Sequence, residues 1–283
     1  MDRRSPTFAR PRCVVPGRWP AVALLPPLAF AAALLVLPGL LTAADVPTRA
    51  APGAAADPAV AALVARVDLD RALDEARRLS GELPLCLAED CATLGNRVTG
   101  SADLERAVDW LAEHAAVPGF AVTVGPWARA GKTGRNVFAR RAGVLTPTEE
   151  IWYVAHVDGV ASCPEGRCPA ADDNASGTLA GLELLRALEG RPTARTVVVM
   201  FSTGEEQDSL GVRAWLDAAP PAELARIRAL VNADMLAWDG DGDRVMELYH
   251  GDEAASIRLA EAMSATLAVY APNLRPRINP GCG

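Results

Sequence analysis

Three apolar segments, separated by helical ones, constrain the fold more than any other feature of this sequence. The segments are IWYVAHV at 151–157, TVVVMFS at 196–202 and RALVNAD at 228–234. The second is almost uninterrupted in its hydrophobicity, as expected for a strand covered on both faces. Leucines at helical spacing occupy 175–188, and a further helix is predicted around 208–217. This alternation predicts an α/β sandwich with a largely parallel sheet.

Other patterns extend this architecture toward both ends of the chain. Helical spacing runs through 58–79, and Ser101 is placed to cap a helix at 102–116. Further predicted elements are strands at 120–124, 136–141 and 245–251 and a helix at 255–270. The Pro/Ala/Gly-rich residues 45–57 are interpreted as a linker. We therefore expect one domain over 58–283.

The N-terminus has the composition of a targeting segment. Five arginines precede an uncharged run at 19–44 that ends in small residues, which predicts a secretory signal cut after Ala44. The run is also long enough for a membrane anchor, although Pro26, Pro27 and Pro38 interrupt it. Either alternative predicts export to a periplasmic or extracellular location, with membrane contact only through an uncleaved segment. The net charge of −7 offers no basic surface for nucleic acid.

The cysteines agree with export. Four of the six form two pairs with the same spacing, Cys86 with Cys91 and Cys163 with Cys168. This spacing favours local disulfides in an oxidising compartment, and zinc ligation is the alternative. Cys13 is removed with a cleaved signal, and Cys282 remains without a partner.

Side chains that bind metals stand where the three apolar segments end and just before the helix that lies between the first two. They are His156 and Asp158, Asp172 and Asp173, Glu205 and Glu206, and Asp234. In open α/β sheets, ligands bind at the carboxyl ends of the strands, so we expect these side chains to meet. Each also has an ordinary explanation alone, as a helix cap or a solvated acidic turn. Their joint burial would cost too much without cations, so together they predict a metal site.

Four ordered motifs resemble the signatures of the co-catalytic zinc exopeptidases. They are AHVDGV, PAADDNASG, FSTGEEQDSLG and VNADM, and the upstream NRVTGS and NVFAR fit the same pattern. This family includes bacterial leucyl aminopeptidases, glutamate carboxypeptidases and glutaminyl cyclases. The resemblance covers about 94–283 and implies a three-layer α/β sandwich, with a mostly parallel mixed sheet flanked by helices and a catalytic core at 134–283. It also implies two zinc ions and peptide substrates.

The resemblance assigns roles to individual residues. The implied metal ligands are His156, Asp173, Glu206 and Asp234. Asp173 is implied to bridge both zinc ions. Asp158 is implied to fix the imidazole tautomer of His156, and Glu205 to act as the general base.

Two backbone features are implied beside these residues. Both glutamates reach the site only if the chain bends after the strand, and Gly204 makes that bend possible. The family also implies a cis peptide bond between Asp173 and Asn174.

The C-terminal part of the sequence departs from the family pattern. The family has a fifth ligand, a histidine far downstream, and neither His114 nor His250 occupies that place. The sequence stops at NPGCG, with Cys282 unpaired. We therefore expect that a C-terminal portion is missing and that without it this chain binds zinc poorly and is inactive.

Several functions are compatible with these features. An acidic pocket, in which carboxylates neutralise part of the charge of the metal ions, suits a free α-amino group. This favours an aminopeptidase. A carboxypeptidase or a glutaminyl cyclase of the same fold is the alternative within the enzymes. A truncated exported module without catalysis is the alternative outside them.

A second acidic stretch, WDGDGDR at 238–244, resembles a calcium loop in its alternate acids. Arg244 stands where that loop needs glycine, and His250 where it needs the closing glutamate. We interpret the stretch as a polar hairpin turn between two strands.

Overall fold

The structure is a computed structural model that describes residues 56–161, 163 and 167–281. The predicted signal or anchor at 1–44 and all but the last two residues of the predicted linker lie outside the described residues. Cys13 and Cys282 lie outside them as well. Among the helices that are described, none combines the length and the apolar character needed to cross a bilayer.

Helices and strands alternate through most of the described chain. The helices are α1 (Pro58–Val64), α2 (Leu69–Leu79), α3 (Ala102–His114), α4 (Gly177–Ala187), α5 (Leu210–Ala218), α6 (Pro221–Leu224) and α7 (Ala254–Tyr270). The strands are β1 (Leu85–Leu87), β2 (Asp90–Ala92), β3 (Ala121–Arg129), β4 (Lys132–Arg141), β5 (Thr146–His156), β6 (Arg195–Ser202), β7 (Ile227–Asn232), β8 (Val245–His250) and β9 (Arg275–Pro280).

The main sheet is mixed and has five strands in the order β3-β4-β6-β5-β7. β4 pairs antiparallel with β3 and with β6, whereas β5 pairs parallel with β6 and with β7. In this register His156 lies opposite Ser202, and Val154 lies opposite Asn232. The carboxyl ends of the three parallel strands therefore meet at one edge of the sheet, where parallel sheets bind ligands.

Helices cover both faces of this sheet. On β5, Tyr153 and Ala155 face a large core that includes leucines of α3 and α4. Trp152 and Val154 face the other way, toward a smaller core that Trp215 of α5 helps to close. The alternation explains why this strand is apolar at nearly every position. The predicted α/β sandwich, with a mixed sheet flanked by helices, is confirmed.

The predicted N-terminal elements form with small differences. The helical spacing over 58–79 produces two helices, because the Asp68 side chain accepts the Arg71 N–H and so begins α2. Ser101 caps α3 as predicted, its hydroxyl accepting the Leu104 N–H at 3.1 Å. The predicted strand at 120–124 is longer, since β3 continues to Arg129 along β4.

Both predicted disulfides are present. Cys86 and Cys91 are cross-strand partners in the hairpin of β1 and β2 and are bonded to each other. Cys163 is bonded to Cys168, in the segment that connects β5 to α4.

The C-terminal elements differ from the expected arrangement. β8 does not join the main sheet but pairs parallel with β9, which the sequence did not predict, and α7 connects the two. The acidic stretch at 238–244 thus links strands of two different sheets. Its prediction as a hairpin turn is wrong, because β7 and β8 are not paired with each other.

Candidate metal centre

His156 is the last residue of β5 and points its imidazole at the edge of the sheet. The side chain is only 2% exposed. Its Nδ1 atom lies 3.0 Å from the backbone carbonyl oxygen of Asp158. Because a carbonyl only accepts, Nδ1 carries the proton, and Nε2 is the atom that faces the acidic side chains.

Three of the predicted ligands converge at this edge. Nε2 of His156 lies 3.1 Å from Oδ1 of Asp173 and 3.4 Å from Oδ1 of Asp234. One ligand atom from each of the three residues lies within 4.8 Å of the other two. The three residues come from the end of β5, the turn before α4 and the loop after β7. They are distant in the sequence and meet only in the folded chain.

The turn before α4 presents Asp173. Residues Ala171–Ser176 form a distorted helical turn, and the peptide bond between Asp173 and Asn174 is cis, as expected. The Asn174 amide donates to the Ala233 carbonyl at 2.8 Å and accepts the Gly177 N–H at 2.9 Å. A side chain at Gly177 would collide with both groups, because its Cβ would lie 2.4 Å from Asn174 Oδ1 and 2.5 Å from the Ala233 oxygen.

The loop after β7 presents Asp234 and is fastened to the same turn. The Leu236 N–H donates to the Ser176 hydroxyl at 2.9 Å, and the Ala237 N–H donates to Oδ1 of Asp172 at 2.8 Å. Asp172 therefore holds a neighbouring loop and does not belong to the convergent group. These contacts fix Asp173 and Asp234 relative to each other.

Glu205 and Glu206 lie in a turn that Asp158 holds. The Glu205 N–H donates to Oδ1 of Asp158 at 3.1 Å, and the Glu206 N–H donates to Oδ2 at 3.2 Å. The Thr99 hydroxyl donates to the same Oδ2 at 3.2 Å. The predicted bend occurs at Gly204, whose φ is +77° and whose added Cβ would lie 2.9 Å from the Trp127 ring.

The two glutamates are less closely joined to the cluster than the three convergent residues. Glu206 is not one of the three, although burial and then the charge of Asp173 raise its pKa to about 7. Burial also raises the pKa of Glu205; His156 opposes the rise, and the carboxylates of Asp234, Asp158 and Asp173 add to it.

The donor atoms of this site fit a divalent cation. His156 Nε2, Asp234 Oδ1 and Glu206 Oε1 are buried, and none makes a hydrogen bond of good geometry despite the short contacts of Nε2. Burial lowers the pKa of His156, but its contacts with Asp173 and Asp234 outweigh burial and raise it well above its ordinary value. Unpartnered imidazole nitrogen and carboxylate oxygens are the ligand types that zinc takes.

The two remaining histidines lie elsewhere. His114 ends α3 and stacks on Trp110 with 3.9 Å between ring centroids. His250 ends β8, and its Nδ1 lies 2.8 Å from the Gly251 carbonyl oxygen. Neither belongs to the cluster of His156.

The acidic stretch at 238–244 also brings three carboxylates together, but they serve their own loop. Asp239 accepts the Arg244 N–H at 3.0 Å, and Asp243 accepts the Val245 N–H at 2.7 Å. These hydrogen bonds account for the acids as turn residues.

One supporting residue was not identified from the sequence. Asn136, buried in β4, accepts the Thr203 N–H and donates to the Gly211 carbonyl, each at 3.0 Å. It thereby holds both ends of the segment that contains Glu205 and Glu206. The sequence feature that could have identified Asn136 is its position directly before the apolar residues of a predicted strand, in NVFAR.

The sequence is similar to that of known peptidases. The model of "Peptidase family M28" matches residues 136–280, just over half of the chain. Leupeptin-inactivating enzyme 1 of Streptomyces exfoliatus is 28% identical over 150 residues, which is 52% of this chain and 33% of that protein. A probable leucine aminopeptidase 2 of Aspergillus oryzae is 28% identical over 136 residues, which is 48% of this chain and 26% of that protein. The matched part thus spans about a third or less of these relatives.

The fold is similar to that of solved proteins. LapB from Legionella pneumophila superposes with a TM-score of 0.62 at 16% identity, over 84% of this chain and 60% of that one. At this level of identity the likeness concerns the fold alone.

Proposed function

Because this chain belongs to peptidase family M28, we propose that it is an exported zinc peptidase that removes residues from the N-terminus of peptides. The observation that carries the proposal is the convergence of His156, Asp173 and Asp234 within 4.8 Å at the edge of the parallel strands. The names of the two sequence relatives, a leupeptin-inactivating enzyme and a probable leucine aminopeptidase, support peptide substrates.

The proposed ligands divide between two zinc ions. His156 and Asp234, whose facing ligand atoms lie 3.4 Å apart, would hold one ion, Glu206 would serve the other, and Asp173 would serve both. A bound zinc ion supplies Lewis-acid polarisation of a carbonyl and lowers the pKa of water toward about 7. The unpartnered Nε2 of His156 and Oδ1 of Asp234 support this assignment, because a cation would satisfy both.

Glu205 is the proposed general base. It accepts the proton of the attacking water and then delivers that proton to the leaving amine. Asp158 holds the backbone of Glu205 and Glu206, so the base and its neighbouring ligand keep a fixed separation. Since the site has more carboxylates than histidines, it also favours a positively charged α-amino group over a carboxylate terminus.

Export is part of the proposal. The arginine-rich head and apolar run of the N-terminus have the composition of a secretory signal. The disulfides Cys86–Cys91 and Cys163–Cys168 are consistent with an oxidising compartment.

The test is a Glu205→Gln variant of the whole chain. We expect it to retain as much zinc as the wild-type chain does, measured by metal analysis after dialysis, and to hydrolyse aminoacyl p-nitroanilides more slowly than that chain by a factor of about 100 or more. Glu223→Gln is the matched control, because Glu223 lies on α6 before the start of β7, whereas the cluster follows the end of β7.

Metal analysis together with assays on other peptide substrates separates the alternatives. Wild-type turnover by Glu205→Gln would remove the role of the base. One zinc per chain with cyclisation of N-terminal glutamine would indicate a cyclase. Hydrolysis restricted to C-terminal residues would indicate a carboxypeptidase, and a wild-type protein without zinc would support the non-catalytic alternative.

A further inference from the structure

Arg97 is an arginine buried beside the metal centre. Its side chain is 1% exposed, which is rare for a guanidinium. It belongs to the connection between β2 and α3, four residues before the helix cap Ser101. No carboxylate among the described residues forms an ion pair with it.

Among the described residues the guanidinium donates only to backbone carbonyl groups, and these come from three separate segments. The acceptors are Leu79 at the end of α2, Val157 at 2.8 Å, Pro169 at 3.0 Å and Ala170 at 2.8 Å. Val157 directly follows His156, and Ala170 stands three residues before Asp173. One side chain therefore joins the segments that present two of the proposed ligands.

Two further hydrogen bonds, one to the backbone of Arg97 and one to the side chain of Asn96, join the connection to the same two segments. The Arg97 carbonyl accepts the Gly159 N–H at 2.8 Å, just after Asp158. The preceding residue, Asn96, accepts the Cys168 N–H through its side-chain oxygen at 2.6 Å. The connection thus holds the segment after β5 through the side chain and the backbone of Arg97, and the segment before Asp173 through the side chains of Arg97 and Asn96.

The positive charge of Arg97 lies within the field of the acidic cluster. Burial lowers its pKa to about 10, and the carboxylates of Asp158 and Asp173 act in the opposite direction. Arg97 is therefore a cation at neutral pH. Burying a charge with carbonyl partners alone is costly, so a geometric function is a better explanation for it than stability.

We propose that Arg97 is a positioning residue for the metal centre, setting the separation between the end of β5, with His156, and the segment that leads to Asp173. This inference rests on the proposed zinc site. Arginine suits the task because its planar fork donates several hydrogen bonds in fixed directions, whereas lysine has one flexible ammonium group.

The experiment compares Arg97→Lys with Arg141→Lys in the whole chain. Arg141 is a matched control because it is partly buried and donates to the Leu188 carbonyl, but it pairs with Val197 near the start of β6, far from the strand ends of the site. Zinc affinity is measured by competition with a chromogenic chelator, and thermal unfolding is measured on the metal-free proteins.

We expect Arg97→Lys to weaken zinc binding about tenfold or more, as loss of a residue that orients ligands commonly does. Arg141→Lys should leave zinc affinity within about twofold, while both metal-free variants unfold at similar temperatures. If Arg97→Lys does not fold, Arg97→Gln, which keeps a planar donor, takes its place under the same criteria.

Two results would overturn the inference. One is an Arg97 variant that folds and binds zinc as the wild type does. The other is failure of both Arg97 variants to fold while Arg141→Lys folds, because Arg97 would then serve the whole fold and not the ligands. Absence of zinc binding by the wild-type protein would instead remove the proposed function, and with it the basis of this inference.

Discussion

Asp158 acts on two neighbours through different atoms. Its backbone oxygen lies beside the imidazole of His156, and its carboxylate, 0% exposed, holds the turn of Glu205 and Glu206. The family resemblance implied only the contact with the histidine. A substitution that changes the carboxylate and spares the backbone therefore tests the second contact separately.

We predict that Asp158→Asn lowers kcat about 10- to 100-fold. An amide retains one acceptor oxygen and places an NH2 group against a backbone N–H, so the turn of Glu205 loses one of its anchors. The carbonyl contact with His156 remains, so zinc content should fall less than activity does. Steady-state kinetics and metal analysis on the same preparation provide the measurement.

Asp252→Asn is the control for this substitution, because Asp252 is exposed before α7. It should behave as the wild type. Equal activity of Asp158→Asn and the wild type would show that the carboxylate does not maintain the catalytic turn.

At the residue scale, the sequence indicated most of the site because of where its acids stand. His156 and Asp234 were expected to meet Asp173 since they end apolar segments and Asp173 stands before the helix between two of those segments, and the structure brings the three together. Arg97 and Asn136 were not assigned a function. Their partners are backbone groups distant in the chain, and no residue pattern marks a carbonyl that will accept a hydrogen bond.

At the element scale, the apolar strands were predictable and the short polar ones were not. β5 and β6 are buried on both faces, so their composition identifies them. β9 is RPRINP, mostly exposed and with prolines at two of its six positions, which ordinarily argues against a strand. The sequence also could not show which sheet β8 joins, because hydrophobic periodicity predicts a strand but not the strand with which it pairs.

A buried network of ion pairs joins α2 to α4. Glu183, 1% exposed, accepts hydrogen bonds from the Arg71 and Arg186 guanidinium groups and from the Asp68 N–H, each at 2.8 Å. Arg186 also pairs with Glu75 of α2 at 2.6 Å. Because α4 directly follows the turn that presents Asp173, the network that fixes α4 to α2 also helps to hold this turn in place.

We predict that Glu183→Gln lowers the free energy of unfolding of the metal-free protein by about 2 kcal/mol at pH 7. Burial by itself raises the pKa of Glu183, but the hydrogen bonds from Arg71, Asp68 and Arg186 outweigh burial and lower it. The carboxylate therefore stabilises the fold above its ordinary pKa of about 4.3, and that stabilisation is lost as the pH falls through the lower pKa of the folded state.

The measurement is urea unfolding of both proteins from pH 7 down to pH 3. The difference between them should shrink below about pH 4, while the exposed Glu189→Gln stays within about 0.5 kcal/mol of the wild type throughout. A difference that does not change with pH would mean that the charge of Glu183 is not the cause.

The two disulfides close loops of the same length in different surroundings, so their removal provides a matched comparison. Each joins cysteines five positions apart. Replacing either pair by serine should cost roughly 2 kcal/mol of stability, from loop entropy alone.

We predict that only the Cys163/Cys168 double variant also weakens zinc binding. The Cys168 N–H donates to Asn96, and the next two residues accept hydrogen bonds from Arg97 on the way to Asp173. Chelator competition on both double variants measures the effect. An equal loss of affinity in the Cys86/Cys91 variant would point to general destabilisation.

At the scale of the whole molecule, folding gathers negative charge that His156 and Arg97 neutralise only in part. Asp158, Asp173, Asp234, Glu205 and Glu206 approach one another at one edge of the sheet in a protein whose net charge is already −7. Mutual repulsion and lost hydration oppose this arrangement in the metal-free protein. The folded state should therefore depend on bound cations more than its hydrophobic core would suggest.

We predict that zinc at 100 times its dissociation constant raises the free energy of unfolding by about 2.7 kcal/mol for each ion bound, because it binds the folded chain and not the unfolded one. Thermal or urea unfolding, with chelator and then with increasing free zinc, measures the rise. Asp173→Asn removes the carboxylate proposed to serve both ions and keeps nearly the same shape, so its stability should respond little to zinc. A zinc response of Asp173→Asn as large as that of the wild type would place the stabilising ion elsewhere, whereas a wild-type protein indifferent to zinc would separate the acidic cluster from metal binding altogether.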